Sequence, residues 1–313
     1  MSAERKADRG SNATNQSKHA ERRSIRAALT VATNSPASND WSKSALGLGL
    51  ARPPWTPCAE DGDLLLDALR PHLTDSGAVS LVALLGVTPA LTQLGWPDGA
   101  RVLAVDASPA IIRSQWRAHP TVPSAVTCAR WQALPLPDKS VAAVAGDGSL
   151  NTLAYTAYQD LFREVARVLA PESVFILRCF VRPDTRGDVD DITRDVAKQA
   201  FPNSAPFRLR LCMTLCEADG TLVLGTLLER FNGLFPDRAK LASLADWPID
   251  EVDRFDMDRD SKIQLTFPTL SELAAHAEPL FAIREVRHGS YDLAELCPTI
   301  TFVPSQSRQR LAR

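Results

Sequence analysis

Leu81-Val82-Ala83-Leu84-Leu85-Gly86-Val87-Thr88-Pro89 is the stretch on which the fold turns. Five consecutive apolar residues suit a strand buried on both faces, as in a parallel sheet covered by helices. Gly86 at the strand's end lets the backbone turn sharply and lets a ligand approach the main chain. Pro89 suits the first turn of a following helix, whose unpaired N–H groups face the same place. Every α/β fold needs such a turn, so the rest of the chain has to supply the specificity.

From this strand the same rhythm runs onward. Arg101–Val105, Ala125–Cys128, Val141–Ala145 and Val174–Cys179 are further strand-length runs. Helical stretches Leu91–Leu94, Ala110–Ala118 and Ala157–Leu169 alternate with them, the last placing Leu161, Phe162, Val165 and Val168 on one face. That alternation predicts a parallel sheet with helices on both sides. Downstream, Asp188–Ala200, Pro206–Cys216 and Leu222–Phe235 read as helices, and Trp247–Asp260 as an acidic polar loop. Thr269–His276 reads as a helix opened by Thr269 or Ser271, and Phe281–His288 with Thr299–Val303 as a closing strand pair.

The second strand ends in Asp106, about 20 residues after Gly86, the spacing at which an acid accepts hydrogen bonds from a ribose diol. Asp106 or Ser108 capping the next helix is the plainer alternative. A third feature runs Arg130-Trp131-Gln132-Ala133-Leu134-Pro135-Leu136-Pro137-Asp138 into the strand from Val141, which leaves through Gly146-Asp147-Gly148. A fourth is Glu164-Val165-Ala166-Arg167-Val168-Leu169-Ala170-Pro171, before the fifth strand.

In this order and spacing, the four features resemble the class I S-adenosylmethionine-dependent methyltransferases. That family has a Gly-rich turn after strand one and an acid ending strand two. An L-P-F/L-x-D run leads into strand four, and E-x-x-R-V-L-K-P-G-G leads into strand five. The resemblance covers about Val79 to Arg182, with Leu265 to Val303 fitting the final helix and antiparallel strand pair. It implies a Rossmann-like, doubly wound, mostly parallel seven-stranded sheet with a final antiparallel strand, plus helical cap elements. It also implies S-adenosylmethionine as cofactor, held by Gly86, Val87, Thr88, Asp106, Ala107, Trp131, Gln132, Asp147 and Gly148. Asp147 is the candidate catalytic acid lining the site, with backbone bonding of a loop aspartate as the alternative.

The chain departs from the family pattern at the first turn, where Leu84 replaces an acid and Thr88 and Ala90 replace two glycines. A subgroup carries L-G-V-T-P here, and the Thr88 hydroxyl can serve as a donor in place of a glycine's close approach. Arg130 stands where an acid near the adenine amine is usual, beside Trp131, whose ring can lie against the adenine face.

The 313 residues carry a formal net charge of −2, which argues against a dedicated nucleic-acid binder. The base-modifying members' N/D-P-P-Y/F run is also replaced by Asp147-Gly148-Ser149-Leu150. The expected partner is therefore a small-molecule methyl acceptor, with no nucleic acid; the acceptor's identity and the oligomeric state are not written in the sequence. The longest apolar run, Val79–Val87, is strand-sized, so no membrane span is expected, and the expected location is cytoplasmic. The six cysteines are scattered without CxxC pairs, which predicts free thiols and no metal site.

Residues 1–40 read as a disordered tail, with a transit peptide as the rival reading. Residues 41–78 read as a helical lid segment, with Asp61 or Asp63 capping its helix and Trp41 and Trp55 covering the pocket or pinning the segment. Residues 79–313 read as the α/β domain, with a helical insertion around 183–260. Arg178, Arg182 and Arg186 are expected as solvated charges, with anion binding as the alternative. His288 is expected at the surface rather than as a base. Two further readings compete with the enzyme: a methyltransferase-like binding or regulatory protein without catalysis, and a nicotinamide oxidoreductase. The second requires a G-x-G-x-x-G turn that the chain lacks.

Overall fold

The computed structural model describes residues 52–73 and 79–305. The tail expected over 1–40, Trp41 with the rest of 41–51, residues 74–78 and residues 306–313 lie outside the described residues.

Along the chain come α1 (Ala59–Leu69), β1 (Ser80–Leu85), α2 (Pro89–Thr92), β2 (Ala100–Asp106), α3 (Pro109–Gln115), β3 (Ser124–Cys128), β4 (Val141–Asp147), α4 (Tyr158–Val168) and β5 (Leu169–Arg178). There follow α5 (Val189–Ala197), α6 (Ser204–Leu215), β6 (Thr221–Val223), α7 (Leu224–Leu234), α8 (Arg238–Ala245), α9 (Ile249–Asp253) and β7 (Gln264–Thr266). The chain closes with α10 (Leu270–Ala277), β8 (Phe281–Arg287) and β9 (Thr299–Pro304).

Seven strands form one sheet in the order β3-β2-β1-β4-β5-β9-β8, and β9 runs antiparallel to both its neighbours. This is the Rossmann-like sheet that the family resemblance implies. Its order reverses between β1 and β4, where open α/β sheets bind ligands beyond the strands' C-terminal ends. Alternation along the strands explains the two covered faces. Ala83 and Leu85 pack with Phe162 and Val165 of α4 and Leu273 of α10. Val82 and Leu84 pack with Leu65 and Leu69 of α1 and with Leu91 and Ile111 on the other face. Phe162, Phe175, Phe281 and Phe302 meet with ring centroids 5.4–6.1 Å apart. Each such pair contributes about 0.5–1.5 kcal/mol beyond its buried area.

Three local readings change. The helix expected over Leu222–Phe235 opens as β6, which pairs with β7 in a small separate sheet, so helix α7 starts only at Leu224. The loop expected over Trp247–Asp260 contains α9 and a 3₁₀ turn at Arg254–Asp258. Val252 and Phe255, three apart, are both buried, and Asp250 and Glu251 favour the positive end of α9. The residue at the N-cap of α1 is Cys58, whose N–H donates to Asp61 Oδ2 at 2.9 Å from the helix's first turn.

The stretch between β5 and α10 packs its own apolar cluster, including Phe207, Phe231, Trp247 and Phe255. It leaves and rejoins the sheet region at one place. Arg182 N–H donates to Pro268 O at 3.0 Å. Buried Asn151 donates through Nδ2 to Phe180 O and Thr266 O, both at 2.7 Å, and accepts from Phe180 N–H at 2.9 Å.

Candidate functional site

A cavity of about 580 Å³ opens beyond the C-terminal ends of β1, β2 and β4. Gly86 sits there at φ +104°, with its N–H donating to Val105 O at 2.8 Å. A Cβ on Gly86 would stand 3.7 Å from Trp131 Cζ2 and 3.9 Å from Asp106 Oδ2. Glycine backbone, indole and carboxylate therefore converge on one small space. Each is fixed separately: Trp131 Nε1–H donates to Val105 O at 2.6 Å, and Asp106 Oδ1 accepts from Ser108 N–H at 2.8 Å. Burial raises the Asp106 carboxyl above its usual range, against the lowering pull of the Ser108 N–H.

Val87, Thr88, Ala107 and Gln132 line the same cavity, as do Asp147 and Gly148, so all nine candidate residues face one space. The Thr88 side chain makes no capping bond to α2. Gly148, at φ +60°, lies under Phe180: a Cβ would approach that ring to 3.3 Å. Gly146 answers a packing demand instead, since a Cβ there would come within 2.4 Å of Ser149 Oγ.

Asp147 is not a solitary acid. Its Oδ1 accepts from Arg178 Nη1–H at 2.7 Å, and Arg178 Nε lies 3.2 Å from Asp61 Oδ2. Side-chain exposures of 2% for Arg178, 1% for Asp61 and 6% for Asp147 make this a buried cluster. Arg178 Nη2–H also donates to Pro54 O at 2.6 Å, and Tyr291 Oη–H donates to Asp61 Oδ1 at 2.8 Å. Burial raises the Asp147 carboxyl, and the Arg178 guanidinium pulls it back down.

Of the three arginines expected as solvated charges, Arg186 is exposed, Arg182 is half-buried and Arg178 is buried. Arg178 is buried as described, Arg182 pairs with Glu272 at 2.6 Å, and Arg186 donates to Thr214 O and Cys216 O. His288 Nδ1 lies 3.4 Å from Ala294 O, away from the cavity lining. Trp55 lines the cavity while its Nε1–H donates to Ala205 O at 3.0 Å, and its ring tilts against Phe180 at 5.1 Å.

The far wall comes from α6, α9 and the turn after it, and from Trp55. Arg208 Nη2–H donates to Asp258 Oδ2 at 2.6 Å, and its guanidinium lies 5.6 Å from the Trp55 ring and 5.7 Å from that of Phe255. Burial raises the Asp258 carboxyl against the pull of Arg208. Glu251 Oε2 accepts from the Ser204 hydroxyl at 2.7 Å, and Oε1 faces Arg52 Nη1 at 2.9 Å and Arg254 Nε at 3.4 Å. Burial alone would raise the Glu251 carboxyl, yet Ser204, Arg254 and Arg52 hold it below the usual range. None of these residues stands in a sequence motif. Their one signal is the three-residue spacing of Val252 and Phe255 in the acidic stretch after Trp247.

Among the described residues, no group of three His, Cys, Asp or Glu side chains is gathered to hold a metal, and no helix is long and apolar enough to cross a membrane. The six cysteines are free, four of them buried.

Residues 85–177 match the family model of the methyltransferase domain. No curated protein matches the sequence. Among solved structures, one from Rhodobacter sphaeroides assigned by name to the Zn-dependent alcohol dehydrogenases is similar at a TM-score of 0.51 and 12% identity. The match covers 85% of this chain and 99% of that one. At that identity the likeness is one of fold alone. A SAM-dependent methyltransferase from Methanosarcina mazei aligns with a TM-score of 0.43 at 12% identity, over 74% of this chain and 95% of that one. One from Mesorhizobium loti aligns with a TM-score of 0.39 at 18% identity, over 75% and 95%.

Proposed function

We propose that this chain, which carries a class I Rossmann-like methyltransferase domain, is an S-adenosylmethionine-dependent methyltransferase acting on a small molecule. The observation that supports this best is the convergence of the Gly86 backbone, the Trp131 ring and Asp106 Oδ2 at the sheet's switch point. That cradle suits a nucleoside. The carboxylate accepts from a ribose diol, the indole lies against a base, and the glycine leaves room for both. Thr88, with Gly148 and the end of β4, holds the amino-acid end. When bound, the cofactor supplies an electrophilic methyl group on a sulfonium.

What the protein's residues do is align and desolvate. Asp147, clamped by Arg178, is a fixed negative end at the cavity floor, and that clamp suits it to hold a cationic group in place rather than to carry protons. Trp55, Phe180 and Phe255 exclude water from the acceptor side, from which a nucleophile would approach in line. The cavity's volume lies in the range of small-molecule sites, which supports a small acceptor.

Isothermal titration with S-adenosylhomocysteine and S-adenosylmethionine tests the reading. The chain is expected to bind both, and Asp106→Asn, which retains an acceptor for Ser108 N–H, is expected to weaken binding about 5- to 10-fold through loss of charge-assisted hydrogen bonds. Absence of binding by the wild-type chain up to millimolar ligand overturns it.

A further inference from the structure

On the cap side of the cavity, three guanidiniums, Arg52, Arg208 and Arg254, face two carboxylates, Glu251 and Asp258. Glu251 accepts from Ser204 and faces Arg52 and Arg254, and Asp258 accepts from Arg208. Arg52 is 47% exposed and solvated. Arg254 is different: its side chain is two-thirds buried and its ion pair to Glu251 runs through Nε. Among the described residues, no hydrogen bond engages its Nη1 or Nη2, and its buried Nε has no hydrogen-bond partner. The planar end of a guanidinium is thus left available on a wall that also carries rings and aliphatic groups: Trp55, Phe180, Phe255, Leu224 and Leu265.

Taking the methyl-transfer reading above as its basis, we infer that the acceptor is a flat, apolar monocarboxylic acid, anchored by its carboxylate to Arg254 and packed against Trp55 and Phe180. A guanidinium fork matches a carboxylate with two parallel hydrogen bonds. One surplus cation balances one negative charge, whereas a phosphate monoester dianion would leave an uncompensated charge among buried rings. A neutral acceptor would leave the Nη end of Arg254 unmatched in a partly dry pocket. The rings supply apolar area to a planar body and orient it toward the β1–β4 end.

The test is titration of the S-adenosylhomocysteine-saturated protein with three probes: 2-naphthoate, 2-naphthamide and 2-naphthyl phosphate. The acid is expected to bind at least about 10-fold more tightly than the amide, the range of a charge-assisted pair over a neutral one. In Arg254→Gln, naphthoate should lose about 10- to 30-fold while naphthamide stays within about twofold. Equal binding of acid and amide, tighter binding of the phosphate, or no effect of Arg254→Gln overturns the assignment. Should that variant fail to fold, the acid-to-amide ratio on the wild-type chain decides alone. Cofactor titration reads the underlying function separately: a chain that binds S-adenosylhomocysteine yet shows no preference for the acid refutes only the acceptor class.

Discussion

Replacing Arg178 by Met should be the most damaging single change outside the strands' apolar positions. The substitution keeps most of the side-chain volume and removes the cation that bridges Asp61 and Asp147, whose side chains are 1% and 6% exposed. It abolishes ion pairs of 3.2 and 2.7 Å and the 2.6 Å bond to Pro54 O. Removing one partner of a buried pair costs about 3–5 kcal/mol, and with two carboxylates left without their shared cation the upper end, about 5 kcal/mol, applies. For a domain of this size, 1 kcal/mol moves the melting temperature by about 2–4 °C, so a fall of roughly 10–20 °C follows at pH 7.5. The pH dependence carries a sign. Burial already raises Asp147, and Arg178 is what pulls it down, so the variant's Asp147 rises further. A carboxyl with a raised folded-state pKa binds its proton better folded than unfolded. Its stability is therefore present at low pH and is lost as pH rises through the folded value. The deficit of Arg178→Met relative to wild type should accordingly shrink between pH 7.5 and pH 4.5, read by urea midpoints or thermal melts. A fall under about 3 °C at pH 7.5, or a deficit that grows on acidification, would refute the reasoning.

Two smaller tests probe the turn and the junction. Gly86→Ala forces an L-residue to φ +104° and should cost about 1–3 kcal/mol by thermal melt, with S-adenosylhomocysteine affinity at least about 10-fold lower; unchanged melting would show that the turn relaxes. Asn151→Ala removes three buried hydrogen bonds, about 1 kcal/mol each, and should raise amide exchange across 183–267 more than in β1–β4; uniform exchange would count against it.

The sheet was legible because its signals are local. Apolar runs such as Leu81–Leu85, with Gly86 and Asp106 at their ends, need only neighbours in sequence to be read. The nine candidate residues share one cavity because strand ends in a parallel sheet meet by construction. The far wall was not legible. Arg208, Glu251 and Arg254 acquire meaning only when α6 and the turn after α9 fold over the strand ends, and polar residues on short helices look like solvated surface. Arg178 is the sharpest case. An arginine closing a strand reads as exposed, and only the arrival of Asp61 from α1, 117 positions earlier, makes its burial tolerable.

The chain's exit and return around 182 and 268, joined by one backbone hydrogen bond and by Asn151, has a consequence for how such a protein can change. An excursion whose two ends lie side by side can be lengthened, replaced or removed while the strands beneath keep their register. The Gly86 turn and the opposite wall can then diversify on separate evolutionary clocks. A designer could graft a foreign excursion between those two positions and inherit a new cavity wall, keeping Asn151 as the latch that both ends must still satisfy.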